Sequence, residues 1–286
     1  MRSSVPYERA LEDAPGEVIE VGGRRVHCVV RGEGEPLLLV HGFLFHSILF
    51  RRNIDALAAR FRVHAVDLWG WGYSERLPVT EYGFATYGEQ LVGLMDALGL
   101  ERAALCGQSL GGAVAVHAAA HHPDRVTRLV LVAPAAIPHP LALATRLYRL
   151  PVLGELANAL PGDLLLRQSL ARVWFHDRRI VTRAYARQVL EPMSIVGSLD
   201  GAMYVLRHVL TAPYVEPEVR RLADRDLPIL LVHGRQDRAV PLATSRQLDA
   251  GWPTCRLVVF DDAGHCPNEE HPERFDELVA AFLVGG

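Results

Sequence analysis

Lysine is missing from this chain: all 30 basic residues are arginine, set against 33 Asp and Glu for a formal net charge of −3. A charge so nearly balanced leaves no electrostatic footprint for nucleic acid, and a composition that is 50% hydrophobic excludes a disordered polyampholyte. Cysteine is scarce. Cys28, Cys106, Cys255 and Cys266 contain no Cys-x-x-Cys pair, which argues against a disulfide framework and against a cysteine-held metal. Long apolar runs are absent too, since no stretch approaches the roughly 18 uncharged apolar residues of a membrane span. The opening segment Met1 to Glu8 lacks the apolar core of a secretory signal, so the expectation is a soluble, cytoplasmic protein without a membrane span.

What remains is a chain of 286 residues, long enough for one large α/β domain or a core that carries an insertion. Val18 to Val21 and Val26 to Val30 flank Gly22-Gly23 and predict an antiparallel hairpin. Pro36 to Val40 is an uninterrupted apolar run of the kind a strand buried on both faces requires. A helix with Phe50, Ile54, Leu57 and Ala58 on one face is expected next, then a strand at Val63 to Val66 that opens into the glycine-punctuated loop Asp67 to Ser74. Leu91, Leu94, Met95 and Leu98 have the spacing of an amphipathic helix. Further buried strands are predicted at Ala103 to Cys106, Arg128 to Val132, Pro228 to Gly234 and Arg256 to Phe260. Strands alternating with amphipathic helices imply a mostly parallel sheet with helices on both faces.

From about Ala135 to Ala223 the strand-like runs stop and Leu-rich helical segments take over, among them Leu141 to Leu150 and Leu164 to Trp174. The expected organisation is therefore a core of residues 1–134 and 224–286 with a helical cap inserted at 135–223.

The motif around which the chain is organised is Gly107-Gln108-Ser109-Leu110-Gly111-Gly112, which joins a buried strand to an Ala-rich helix starting near Leu110. Glycines two residues either side of a serine allow a strand-to-helix turn too sharp for side chains, with the hydroxyl projecting from the sheet edge. Such a pattern also arises in ordinary glycine-rich turns, so its surroundings carry the reading. Asp237 and His265 each follow a predicted strand, as Ser109 does, and a parallel sheet brings all three to its carboxyl edge, where open α/β folds place their sites.

The order Ser, Asp, His, together with His41-Gly42-Phe43, the Asp67 to Ser74 loop, Gly234-x-x-Asp237-x-x-x-Pro241 and Gly264-His265-x-Pro267 followed by Glu270 and Pro272, resembles the α/β-hydrolase superfamily. The similarity is to serine carboxylesterases that carry a helical cap. It implies that Ser109 is a nucleophile, His265 its general base and Asp237 the carboxylate that orients the imidazole. It also implies an oxyanion hole from the backbone N–H groups of Phe43 and Leu110, shaped by His41, Gly42, Gly107 and Gly111. The loop Ala133 to Ala136, where some members carry the acid, has no carboxylate, which strengthens Asp237. Such a triad needs no metal or organic cofactor, and the implied partner is a small-molecule ester.

Other chemistries on the same triad are carbon–carbon bond hydrolysis, lactone hydrolysis and cofactor-free haloperoxidase or perhydrolase activity; a non-catalytic receptor of this fold is a reading of a different class. Carbon–carbon hydrolases of the superfamily typically carry Asn before the serine and Trp after the histidine, whereas this chain has Gln108 and Cys266. Cys266 reads as a loop-packing residue rather than a second nucleophile.

Overall fold

The computed structural model describes residues 4–12, 14–141, 143–151, 153–154, 168, 170–211 and 213–285. Eight strands form one sheet: β1 (Glu17–Val21), β2 (Arg24–Arg31), β3 (Pro36–Val40), β4 (Arg62–Val66), β5 (Ala103–Gln108), β6 (Val126–Val132), β7 (Ile229–Gly234) and β8 (Cys255–Phe260), in the spatial order β1-β2-β4-β3-β5-β6-β7-β8. The first two strands pair antiparallel across the Gly22-Gly23 turn, where both glycines have positive φ, and β2 pairs antiparallel with β4. All remaining pairs are parallel, so the carboxyl ends of β3 to β8 share one rim.

Strand composition follows from position in the sheet. Leu38 and Val40 of β3 point into one apolar layer while Leu37 and Leu39 point into the other, and all four are buried. A strand covered on both faces has no solvent side on which to alternate polar residues. On the first face lie α3 (Phe84–Ala97) and α4 (Leu110–His121) with Leu222 and Leu248; on the second lie Leu57 of the short α2 (Ile54–Ala58) and Phe275 and Val279 of the C-terminal α11 (Pro272–Val284). A five-residue α1 (Tyr7–Leu11) precedes the hairpin. Of the 12 residues of α4, ten are buried, because the helix is enclosed by the sheet, α3 and a later helix, and its many alanines permit that close approach.

Between β6 and β7 the described elements are helical: α5 (Leu143–Tyr148), α6 (Arg183–Leu190), α7 (Ser198–Tyr204) and α8 (Glu216–Ala223). The expected helix at Leu141 to Leu150 is present in part as α5, and the expected helix at Leu164 to Trp174 lies partly outside the described residues. Helix α8 packs directly on α4. Two more helices, α9 (Leu242–Gly251) and α10 (Pro267–Glu270), follow β7 and β8. Among the described residues no helix is long and apolar enough to cross a membrane.

One expected element is broken. The continuous helix expected through Phe50 and Ala58 is instead a tight turn at Ser47–Phe50 followed by α2. The interruption falls at Asn53, whose buried amide donates to the Asn268 carbonyl (3.1 Å) and to Asp276 Oδ1 (2.8 Å), while Asn268 donates to the Leu49 carbonyl (2.9 Å). These bonds fasten the β3 to α2 connection to the elements that follow His265. With the Asn53 side chain fixed on these distant groups, the position of the interruption is set by tertiary contacts that local apolar spacing does not record.

Burial pushes the Asp276 carboxyl up to about 7, with Glu273 adding to the rise against the opposing Asn53 bond. The folded protein therefore retains a proton that the unfolded chain releases in the ordinary carboxylate range, and stability should fall as pH rises from that range through about 7. Asp276→Asn should leave the thermal midpoint almost unchanged at about pH 3.5, where the unfolded carboxyl is still largely protonated, and raise it progressively above that, by roughly 5 °C at pH 8, measured by circular dichroism across that range. A Tm difference independent of pH would contradict this account.

Candidate active site

Ser109 stands where β5 turns into α4, with φ 53° and ψ −112°, a conformation that costs a non-glycine residue on the order of 1–3 kcal/mol. The surrounding backbone enforces it. Ser109 N–H donates to the Val132 carbonyl (2.9 Å), and the Ser109 carbonyl accepts from Ala113 (3.1 Å) and Ala135 (3.0 Å). A Cβ on Gly107 would overlap the Gly111 carbonyl, and one on Gly111 would overlap the Val40 and His41 carbonyls. The two glycines of the motif are thus demanded by backbone packed on backbone, which cannot yield as a side chain can.

Asp237 and His265 are brought together at the same rim. The Nδ1 of His265 lies 2.7 Å from Asp237 Oδ2, and both side chains are buried. The other carboxylate oxygen, Oδ1, accepts from the backbone N–H groups of Ala239 (2.7 Å) and Val240 (2.9 Å). Burial by itself would raise the Asp237 carboxyl, but His265 and His233 beside it reverse the effect and hold it well below the usual carboxylate range. With Nδ1–H directed at the carboxylate, Nε2 of His265 carries the lone pair, and it is buried with no hydrogen-bond partner among the described residues. An unpartnered basic nitrogen is the group a general base requires.

His233 is the residue whose place the sequence did not reveal. Its Nε2 lies 3.1 Å from Asp237 Oδ2 and 3.0 Å from the Val240 carbonyl, while Nδ1 meets Ser245 Oγ at 2.7 Å. Since Val240 offers only an acceptor, Nε2 is the donor and Nδ1 accepts from the serine, so a neutral His233 satisfies all its partners. It has no free nitrogen with which to act as a competing base.

Gln108 ties the elbow to His265: its amide donates to the His265 carbonyl at 3.0 Å. On the other side, a Cβ on Gly42 would lie 3.1 Å from Ser109 Cβ, which sets the Gly42-Phe43 peptide against the serine. Leu110, as the first residue of α4, has an N–H without an intrahelical acceptor and sits at the positive end of the helix dipole. His41 accepts from Leu68 N–H through Nε2 (3.0 Å), and its Nδ1 is 2.8 Å from the Gly42 carbonyl, so it links the two loops; burial pushes its imidazole down to about 4.

The Asp67 loop is organised by a second buried carboxylate. Asp67 meets His27 Nδ1 (2.8 Å) and accepts from Ser47 N–H (2.6 Å) and Tyr73 N–H (2.9 Å). Arg76 extends from this loop to the Pro192 carbonyl (3.1 Å) and Ser198 Oγ (2.8 Å) in the segment between β6 and β7.

That segment also reaches His265 directly. The Trp174 ring lies 4.9 Å from the His265 ring, and the Trp174 carbonyl accepts from His265 N–H at 2.9 Å. Glu270 receives the N–H groups of Gly264 (2.6 Å), His176 (2.8 Å) and Asp177 (2.8 Å), which pins the His265 loop to the segment between β6 and β7. The motif had marked Glu270, but nothing near Trp174 in sequence marks its partner. Cys266 is buried, and burial drives its thiol well above its ordinary value, consistent with packing rather than nucleophilic chemistry.

The family profile described as alpha/beta hydrolase fold matches residues 35–272. A 2-hydroxy-6-oxononadienedioate/2-hydroxy-6-oxononatrienedioate hydrolase from Burkholderia vietnamiensis is 34% identical over 99% of this chain and 99% of its own length. A pimeloyl-[acyl-carrier protein] methyl ester esterase from Aeromonas hydrophila is 30% identical, covering 88% of this chain and 96% of its own. Among solved structures, a 2-hydroxy-6-oxo-6-phenylhexa-2,4-dienoate hydrolase from a Rhodococcus species superposes with a TM-score of 0.80 at 26% identity, over 94% of this chain and 99% of that one.

Because its Cβ would meet rigid backbone, Gly111→Ala should lower the thermal midpoint by roughly 5–10 °C or prevent folding, as read by calorimetry. A fully stable Gly111→Ala variant would show that the turn is less tightly enclosed than the geometry requires.

Proposed function

Since this chain belongs to the α/β-hydrolase family and is a hydrolase, we propose that it cleaves carboxylic esters of small to medium hydrophobic substrates through an acyl-enzyme on Ser109. One observation carries the reading: a buried Asp237–His265 pair whose Nε2 has no partner among the described residues, joined through Gln108 to a strained serine. In this scheme His265 Nε2 takes the Ser109 proton as Oγ attacks the ester carbonyl. The ionised Asp237 favours the imidazolium that forms. The N–H groups of Leu110 and Phe43 receive the oxyanion, and loss of one such donor raises a barrier of this type by about 3 kcal/mol. His265 then returns its proton to the departing alkoxide, and a water activated by the same imidazole releases the acid.

The inserted residues 135–223 serve in this reading as a cap over the site. Support comes from the Trp174 ring beside His265 and from the Glu270 bonds to His176 and Asp177. Four thiols without disulfide partners, three of them buried, suit a reducing and therefore cytoplasmic setting.

Carbon–carbon bond hydrolysis is the second reading, favoured by the similarity to the Burkholderia dienedioate/trienedioate hydrolase. It asks more of the site, because the leaving group departs as a carbanion equivalent that must be stabilised and protonated at carbon. The positions either side of the proposed nucleophile and base are given to structure here: the Gln108 amide is bonded to the His265 carbonyl, and Cys266 is buried. Ester cleavage asks nothing of either position, because Ser109, His265, Asp237 and the oxyanion donors at Leu110 and Phe43 suffice.

A fluorophosphonate probe should label Ser109 in the native protein and fail in Ser109→Ala; an inert native protein would favour a binding role. Across p-nitrophenyl esters of increasing chain length, kcat/KM should exceed that for a vinylogous diketone acid, and the reverse ranking would select the carbon–carbon reading. Asp237→Asn should lower kcat by roughly three to four orders of magnitude, with KM little changed. Near-normal turnover in that variant would remove Asp237 from the mechanism.

A further inference from the structure

On the far part of α4 from Ser109, two histidines one helical turn apart meet a carboxylate from the last helix before β7. His117 Nδ1 lies 3.2 Å and His121 Nε2 3.1 Å from the same oxygen, Oε1 of Glu218 on α8. The two imidazoles are stacked, with ring centroids 4.3 Å apart, and all three ligating atoms lie within 4.8 Å of one another. We propose that His117, His121 and Glu218 form a binding site for a divalent transition-metal ion of the zinc class, which clamps α8 onto α4.

Spacing is the first argument. Zinc bonds to imidazole nitrogen and carboxylate oxygen of about 2.0–2.2 Å, arranged tetrahedrally, require ligand atoms about 3.3 Å apart. The two separations to Glu218 Oε1 already have that length and the third lies within 4.8 Å, so rotation of the two imidazoles out of their stack would bring all three ligand atoms onto one ion. Donor identity is the second. Two imidazoles and one carboxylate suit zinc, cobalt, nickel or copper and not calcium or magnesium, which take oxygen ligands.

Hydrogen bonding within the cluster is the third. Arg221 Nη1 lies 3.3 Å from the same His121 Nε2 that faces Glu218. A protonated Nε2 donates to the carboxylate but opposes the guanidinium N–H; a bare Nε2 accepts from Arg221 but confronts carboxylate lone pairs. No tautomer satisfies both neighbours, whereas a cation among the three ligands satisfies Nε2 and the carboxylate together and releases Arg221 to solvent. A fourth feature restrains the His117 ring: a Cβ at Gly88 of α3 would lie 2.8 Å from His117 Cδ2, so glycine at that position makes the space the imidazole occupies.

The site is separate from the chemistry. His117 is eight residues beyond Ser109 on one helix, about 12 Å along its axis at 1.5 Å per residue. Three protein ligands leave the fourth position to water, and the expected effect is stabilisation, because an ion that binds only the folded chain shifts unfolding by mass action.

The test uses full-length protein freed of any histidine tag and treated with chelator, titrated with zinc chloride by calorimetry. One equivalent should bind and raise the thermal midpoint, and cobalt should give the visible absorption of a tetrahedral ion. Glu218→Gln and His121→Ala, checked for native circular dichroism, should each weaken zinc binding at least tenfold. His122→Ala, which alters the neighbouring His122–Glu89 pair (3.1 Å) instead, should leave it unchanged. Absence of one-to-one binding at submillimolar zinc, or binding that survives in both Glu218→Gln and His121→Ala, would overturn the proposal. Ester hydrolysis plays no part in the readout, so the result is independent of the function proposed above.

Discussion

A carboxylate sealed from water at the end of β7 is the constraint on which the rim of this sheet depends. An ion in such a place is untenable unless its lone pairs are met, and Asp237 is met by two backbone N–H groups and two imidazoles. Each partner is thereby placed. The turn after β7 must fold back to present Ala239 and Val240, His233 must lie beneath, and His265 must arrive from the end of β8 with its other nitrogen turned away. The same bonds that make the charge tolerable leave one imidazole nitrogen without a partner among the described residues.

A second carboxylate, Asp67, repeats this arrangement at the end of β4 with different consequences. Its histidine, His27, is held on the antiparallel β2, and its remaining contacts are backbone N–H groups of the loops around it. There the charge organises loops. Through His41, which bridges Leu68 and Gly42, the Asp67 loop also steadies the peptide beside Ser109. Two buried Asp–His pairs thus share one rim, one set for chemistry in the reading proposed here and the other holding the wall against which that chemistry would occur.

The segment between β6 and β7 is joined to the rest of the chain by specific polar contacts. Glu270 gathers three N–H groups from two parts of the chain, Arg76 binds acceptors on both sides of the boundary, and Trp174 lies against the imidazole of His265. Movement of this segment would therefore be felt at His265, whose environment is set by residues far from it in the chain.

Much of this architecture was legible in the chain itself. The glycines around Ser109, the strand runs at β3, β5, β6 and β7 and the hairpin at Gly22-Gly23 declare themselves because their causes are local: backbone sterics between near neighbours, and apolar periodicity imposed by burial on both faces. Placement of Ser109, Asp237 and His265 at strand ends follows from the same local signals once the sheet is parallel. Tertiary structure alone decided the rest. The helix expected through Phe50 and Ala58 is interrupted at an asparagine whose side-chain partners are more than 200 positions away, and neither His233 beneath Asp237 nor Trp174 against His265 has a mark in its own neighbourhood. His117 and His121 advertise only a helical turn until α8 supplies Glu218 across the gap. Local order is written in the spacing of residues, but which distant groups share a charge, a proton or an ion is settled only when the packed chain brings them within bonding distance.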